Sequence, residues 1–192
     1  MVRLTKIYTK FGDQGRTMLG DGSTTCKHDL RVEAYGTVDE ANAAIGVAVS
    51  RLAGPSEVRD ELLRVQNDLF DVGADLCVPI EPGETPGVKL RVVPSQTARL
   101  EAAIDRVNGP LGALTSFILP GGTALAADLH LARTITRRAE RCVSRLLEGD
   151  ASRTNPEAMV YLNRLSDLLF VMARAANVGA GGDVLWKPGQ NR

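Results

Sequence analysis

The chain has 192 residues, enough for one domain with a real core and not comfortably enough for two. Its 23 basic and 23 acidic side chains cancel, so the whole molecule has no pull on nucleic acid or an anionic membrane, and any anion site must come from local clustering. Cys26, Cys77 and Cys142 form no paired motif, and only His28 and His130 supply imidazole; this argues against a disulfide frame or a zinc centre and reads as reduced thiols in a cytoplasmic protein. No apolar run reaches the ~18 residues that would span a membrane. A glycine-rich segment beginning at residue 9 leaves no room for a signal or transit peptide. Aromatic residues are 4% of the chain, so the core must be aliphatic and alanine-rich, which suits helices packed close together.

The segment "TKFGDQGRTMLGDG", residues 9–22, precedes any helical pattern. It is not a P-loop: Gly15 and Gly20 have the G-x4-G spacing, but Asp21-Gly22 follows where Lys-Ser/Thr is required. A dinucleotide fingerprint fails too, because no strand of useful length precedes it. The physical content is nevertheless similar. Glycines let backbone N–H groups converge on an anion, Thr9 and Thr17 add hydroxyls, and Lys10 adds a point charge. Ile7, Met18 and Leu19, woven through the segment, argue against a merely flexible turn. It reads as an anion loop.

Residues 29–53 then carry Val32, Tyr35, Val38, Ile45, Val49 and Leu52 at helical spacing. Gly54 stops that helix and Ser56 caps the next, over 57–77, with Val58, Leu62, Val65, Leu69, Val72 and Leu76 on one face. Residues 78–94 hold four prolines and two glycines and must be a long surface loop. A third helix starts with Ser95 as cap and stops at Gly109. Residues 110–122 form a second connector, with a short extended apolar piece before Pro120. The fourth helix spans 123–147, about 35–40 Å at ~1.5 Å per residue. Asn155 caps the fifth, with Pro156 in its first turn, and it runs to Asn177. No sheet is expected. Five helices without a linker or repeat predict an all-α bundle in a single domain.

Three helices carry polar patterns that packing does not require. Arg133, Arg137, Arg141 and Arg145 recur every four residues, each step advancing about 40°, so they form one slowly drifting stripe with Arg138 beside it. Like charges at this spacing repel by a few tenths of a kcal/mol per pair, roughly, and Glu140 offsets only part of that. The stripe is either a solvated basic face or a polyanion site, since guanidinium groups clamp phosphate oxygens bidentately. In the last helix Asn163 and Asp167 share a face. Asn163 either satisfies a hydrogen bond in the bundle or positions a ligand. In the first helix Asp39 and Glu40 are partners for arginine on a neighbouring helix or subunit.

"YTKFGDQGRTMLGDG", "EAYGTVDEANAAIG", "SFILPGG", "ARTITRRAER" and "YLNRLSDLLFVMAR" resemble, in this order and spacing, the PduO-type ATP:cob(I)alamin adenosyltransferases. The resemblance runs from Ile7 to about Ala176, and departs most in residues 78–94 and after Gly179. It implies a five-helix bundle assembled as a homotrimer, with ATP and a corrinoid held between adjacent subunits. It implies that Co(I) of cobalamin attacks the ribose 5′ carbon, giving adenosylcobalamin and inorganic triphosphate, with Mg²⁺ accompanying the nucleotide through ligands the sequence does not name. Residues 1–28 become an N-terminal ATP loop, 29–179 the bundle and 180–192 a flexible tail of one adenosyltransferase domain. A corrinoid reductase and an adenosylcobalamin-dependent client enzyme are the implied partners.

Carried over by position, Thr9, Lys10, Phe11, Gly12, Gly15, Thr17 and Met18 match the ATP loop, and Lys27 a basic residue that also reaches the nucleotide. Arg137, Arg138, Glu140 and Arg141 match the arginine-rich signature at the phosphates, and Asn163 an asparagine on ATP. Asp39 matches an acid that pairs with arginine across the subunit boundary, with Arg137 as its expected partner. Phe117 matches an aromatic under the corrin ring, where an apolar side chain displaces an axial ligand and eases reduction of Co(II). Trp186 either covers the corrin or docks on the bundle. Departing triphosphate gains negative charge, and each well-placed donor stabilises that build-up by about 3 kcal/mol. No general base is needed, because cobalt is the nucleophile. Two other readings stand beside this one: a corrinoid-binding escort with little turnover, and a helical bundle whose arginines only join subunits.

Overall fold

The structure, a computed structural model, describes residues 7–192; the first six residues of the N-terminal segment 1–28 lie outside the described residues. The expected five helices are present: α1 (Leu30–Ser50), α2 (Glu57–Cys77), α3 (Pro94–Asn108), α4 (Ala124–Asp150) and α5 (Glu157–Asn177). Their starts follow from side-chain caps. Asp29 accepts from the Arg31 amide at 2.8 Å, Ser56 from Arg59 at 3.2 Å, and Thr123 from Ala126 at 3.1 Å, each satisfying an otherwise orphaned helix N–H. Asn155 Oδ1 accepts from the Glu157 amide at 3.1 Å, with Pro156 between them.

The expectations fail at four places, the first being α1, which ends at Ser50 with Arg51 as its C-cap and does not run to residue 53. Ser95 does not cap α3: Pro94 already has the fixed φ of a first helical residue and Val93 is the N-cap, so the helix starts two positions earlier and Ser95 falls inside it. α4 continues past Leu147 to Asp150 because Asp150 accepts from Arg31 at 2.8 Å, and a 3-10 turn, Ala151–Arg153, follows. Within the opening segment a short antiparallel hairpin forms, β1 (Arg16–Met18) and β2 (Thr24–Cys26), pairing Arg16 with Cys26 and Thr17 with Thr25.

α1 packs on α2 and α4, and α5 on α3 and α4 with a lighter contact to α2. Ala34, Ala41 and Ala48 repeat every seven residues along α1, and Ala132 and Ala139 do so along α4; all are fully buried. Such small side chains let the helices approach closely, and the contact between α1 and α4 is the most extensive in the fold. Ile45, Leu62, Leu69, Leu76, Leu100, Leu129, Leu162, Leu165, Leu168 and Leu169 fill the rest, each burial stabilising the fold by ~1.5–3 kcal/mol. Tyr161 is fully buried in α5, and its hydroxyl donates to Asp68 at 2.9 Å. Burial and that carboxylate push the phenol far above its usual range, so it stays a neutral donor.

Two arginines fix the ends of the bundle. Arg31, 3% exposed, donates to Leu76 O at 2.9 Å, Asp150 at 2.8 Å, Arg153 O at 3.1 Å and Thr154 at 3.0 Å, joining the start of α1 to the ends of α2 and α4. Arg91 anchors the surface loop before α3, donating to Asp75 Oδ1 at 2.7 Å, Val78 O at 2.6 Å and both oxygens of Glu84. The bidentate pair holds the Glu84 carboxyl below its ordinary value.

Candidate functional site

Three groups of polar or exposed residues stand out from this frame. The first is the N-terminal segment. Lys10 has φ 63° and Gly15 φ 77°, and the turn between them closes through Asp13 N to Lys10 O at 3.4 Å and Gly15 N to Gly12 O at 3.2 Å. Lys27 N donates to Gly15 O at 2.9 Å, and the Lys27 side chain runs across Gly12: a Cβ there would lie 3.0 Å from both Lys27 Cε and Nζ. The absence of a side chain at Gly12 therefore brings the Lys27 ammonium over the loop backbone. Thr17 lies beside Tyr35 of α1, while Phe11 and Met18 are exposed. The hairpin is tied down by buried Leu19 and by Gly20 N donating to Cys77 O at 2.9 Å. In its turn, Asp21 accepts from the Ser23 hydroxyl at 2.6 Å and the Ser23 amide at 2.9 Å, which holds its carboxyl below the usual range.

The second group lies on α4 and α5. Arg137, Arg138 and Arg141 are exposed. Glu140 makes no ion pair with these arginines among the described residues; it accepts from Asn163 Nδ2 at 2.9 Å and so fixes the Asn163 amide beside them. Arg138 pairs with Glu40 of α1. Arg141 donates to Arg137 O at 3.1 Å. Arg137 and Asp39 make no ion pair within the chain among the described residues, so the expected pair of these two is not formed inside one subunit. The hydrogen bonds of residues 9–18 stay within the N-terminal segment or reach Tyr35, whereas the arginines bond within α4 or to α1. Among the described residues, then, no hydrogen bond or ion pair links the loop to the guanidinium row within one chain.

The third group is an aromatic ledge. Phe117 is 77% exposed and Trp186 45% exposed; their ring centroids are 6.0 Å apart at 57°. The residues expected as a tail are paired here: Trp186 N donates to Phe117 O at 2.7 Å, Leu119 N to Val184 O at 2.8 Å, and Ile118 bridges Leu185. Behind Phe117 lies a cavity of about 530 Å³ whose walls include Leu114, Ile118 and Phe170 with His130 and Arg133. His130 is 2% exposed and neither ring nitrogen has a hydrogen-bond partner among the described residues; its ring meets Phe170 edge-on at 6.2 Å. Burial, with Arg133 nearby, lowers the His130 value and keeps the imidazole neutral. Arg133 Nε is likewise buried without a partner, and burial followed by Arg137 lowers its value.

His130 and Arg133 escaped the sequence reading as cavity residues. The available signal was their i,i+3 spacing, which puts both on one face of α4. Among the described residues no group of three or more His, Cys, Asp or Glu is placed to hold a metal ion, and no helix is long and apolar enough to cross a membrane.

The family model described as cobalamin adenosyltransferase matches residues 7–176. The chain is 48% identical over 193 residues to the corrinoid adenosyltransferase of Mycobacterium tuberculosis (strain ATCC 25618 / H37Rv), covering 100% of this chain and 97% of that relative. It is 47% identical over 186 residues to the cobalamin adenosyltransferase of Cupriavidus metallidurans, covering 96% of each. A variant PduO-type ATP:corrinoid adenosyltransferase from Lactobacillus reuteri, solved with cobalamin and ATP, superposes with a TM-score of 0.85 at 40% identity, covering 95% of this chain and 97% of that one. With one family model spanning nearly all the described residues and relatives alike from end to end, the chain belongs to the cobalamin adenosyltransferase family.

Proposed function

We propose that this chain transfers the 5′-deoxyadenosyl group of ATP to cob(I)alamin. The Co(I) electron pair forms the Co–C5′ bond, the C5′–O bond breaks, and its electrons leave with inorganic triphosphate. No proton moves, which suits a site whose two histidines are a buried neutral His130 and an exposed His28.

The observation that carries this reading is the order of groups along α4. Arg133 lines the apolar cavity behind Phe117, Arg137 follows one turn on and Arg141 a turn beyond that, at roughly 6 and 12 Å by helical rise. One helix thus presents an apolar aromatic surface and a polyanion clamp in continuous succession. Arg137, Arg138 and Arg141 bind the triphosphate and stabilise it as it departs, and Asn163, fixed by Glu140, donates to the nucleotide. Thr9, Lys10, Phe11, Gly12, Gly15, Thr17 and Met18 with Lys27 supply backbone amides, hydroxyls and cations from the glycine segment. Phe117 occupies the lower axial face of the corrin and Trp186 flanks it. Mg²⁺ would accompany the nucleotide as part of the substrate and supply charge neutralisation at the phosphates.

A second copy of the chain that supplies one of them would bring the glycine segment and the guanidinium row to a single site. A homotrimer, with Asp39 of one subunit facing Arg137 of the next, satisfies both these charges. The test is direct: the protein is mixed with MgATP and chemically reduced cobalamin, and adenosylcobalamin is followed in the visible spectrum. Arg141→Ala should lower turnover about 100-fold, the loss of one oriented donor, while the oligomer persists. Wild-type turnover in that variant removes the guanidinium row from the mechanism. A burst of one product per site with no further turnover would favour the escort reading.

A further inference from the structure

Beneath the aromatic ledge lies a polar cluster that neither ATP nor cobalamin needs to touch. Asp183 accepts from Arg174 Nε at 3.2 Å and from Asn177 Nδ2 at 3.1 Å. The Arg174 and Asp183 side chains are 10% and 12% exposed, and Asn177 is 2% exposed. Each of the three reaches a different segment. Arg174 Nη2 donates to Gly112 O at 2.7 Å, at the start of the connector that carries Phe117. Asn177 Nδ2 donates to Gly121 O at 3.2 Å and its Oδ1 accepts from Thr123 N at 3.0 Å, at the end of that connector and the start of α4. Gly182 N donates to Asn177 O at 3.1 Å, and Asp183 begins the tail that carries Trp186. Phe117 and Trp186 therefore hang on two segments that share a single anchorage on the last turns of α5.

We propose that Arg174, Asn177 and Asp183 are positioning residues. They lock the Phe117 connector and the Trp186 tail to each other, and so set how well the ledge receives the planar corrinoid while leaving the nucleotide site untouched. The physical reason is preorganisation. Phe117 is largely exposed and Trp186 nearly half exposed, so packing alone holds them weakly, and a ledge that must be ordered on binding loses affinity by that ordering. A buried, mutually satisfied charge cluster does the ordering in advance. This rests on the adenosyltransferase reading above.

Trp186 is the only tryptophan of the chain, so its fluorescence reports the tail without any ligand. In the full-length protein, Asp183→Asn removes the charge and turns an NH2 group toward one of the two donors, leaving a single acceptor for Arg174 and Asn177, and so weakens the anchorage. The expected result is greater acrylamide quenching of Trp186 with unchanged helical circular dichroism. KM for cob(I)alamin should rise about tenfold, on the scale of one charged hydrogen bond, with KM for ATP unchanged. Asp183→Glu should recover part of both losses. Ser116→Ala removes only the 2.7 Å bond from the Ser116 hydroxyl to Trp186 O, lies on the surface, and should shift quenching and corrinoid KM the same way by less. Unchanged Trp186 quenching in both Asp183→Asn and Ser116→Ala overturns the proposal, as does an equal rise in both KM values. A wild-type chain that makes no adenosylcobalamin would instead sink the functional reading, and the fluorescence comparison would still judge the anchorage.

Discussion

His130 shows how much a single side chain depends on what surrounds it. It lies in the wall of an apolar cavity with both nitrogens unpartnered among the described residues, and Arg133 and Asp183 act on it with opposite signs. Burial outweighs the Asp183 attraction, so the folded-state value lies below that of the unfolded chain, about 6.5. The unfolded chain then binds the extra proton as pH falls. The stability contribution is intact above about pH 6.5 and is lost as pH drops toward and through the folded value. The melting temperature of the wild type should accordingly fall between about pH 7 and 5, and His130→Leu should flatten that decline. Parallel curves for the two proteins would show that the imidazole does not titrate against folding.

At the scale of elements, the turn entering α4 is the constrained one. Gly122 has φ 104°, a conformation side chains rarely adopt, and a Cβ there would run into the Asn177 side chain. Gly122→Ala should cost about 1–3 kcal/mol from the backbone alone and displace Asn177 from its bonds to Gly121 and Thr123. Gly149, near the end of α4, is helical and has nothing within 4 Å of a built Cβ. Gly149→Ala should therefore stabilise by about 0.5–1 kcal/mol through backbone entropy. Chemical denaturation of the two variants beside wild type checks both signs. Equal effects would mean that the chain environment, rather than helix geometry, governs these positions. The same contrast explains why the helices were legible in advance. Capping by Asp29, Ser56, Thr123 and Asn155 is written in a few adjacent residues, whereas α3 starts two residues before the position that Ser95 predicts, because Pro94 supplies the first turn without a side-chain cap.

For the whole molecule, the decisive observation is that no hydrogen bond or ion pair joins the glycine segment to the guanidinium row within one chain among the described residues. Asp39 and Arg137 face outward without ion-pair partners in the described residues, while Arg138 and Glu40 satisfy each other within the chain. If the proposed trimer joins Asp39 to Arg137 across its seam, Asp39→Arg should lower the mass seen by light scattering, because like charges then face each other. Adding Arg137→Asp should restore it, whatever becomes of the activity. A monomeric wild type, or a single reversal that leaves the trimer intact, excludes this pairing.

Local signals in the chain were enough to settle the helices, their faces and the guanidinium row of α4, because periodicity, caps and i,i+4 spacing act over a few residues and need no partner. Tertiary structure alone decided what those residues meet. The hairpin in the N-terminal segment, the Asn163–Glu140 bond and the Arg138–Glu40 pair arise from packing between elements. The ledge depends on it most: Ser116 and Trp186 are 70 positions apart, and Gly112 meets Arg174 across 62. Backbone and charge pairing at such separations leaves no repeat in the sequence, since the two halves are brought together only after the helices between them have packed.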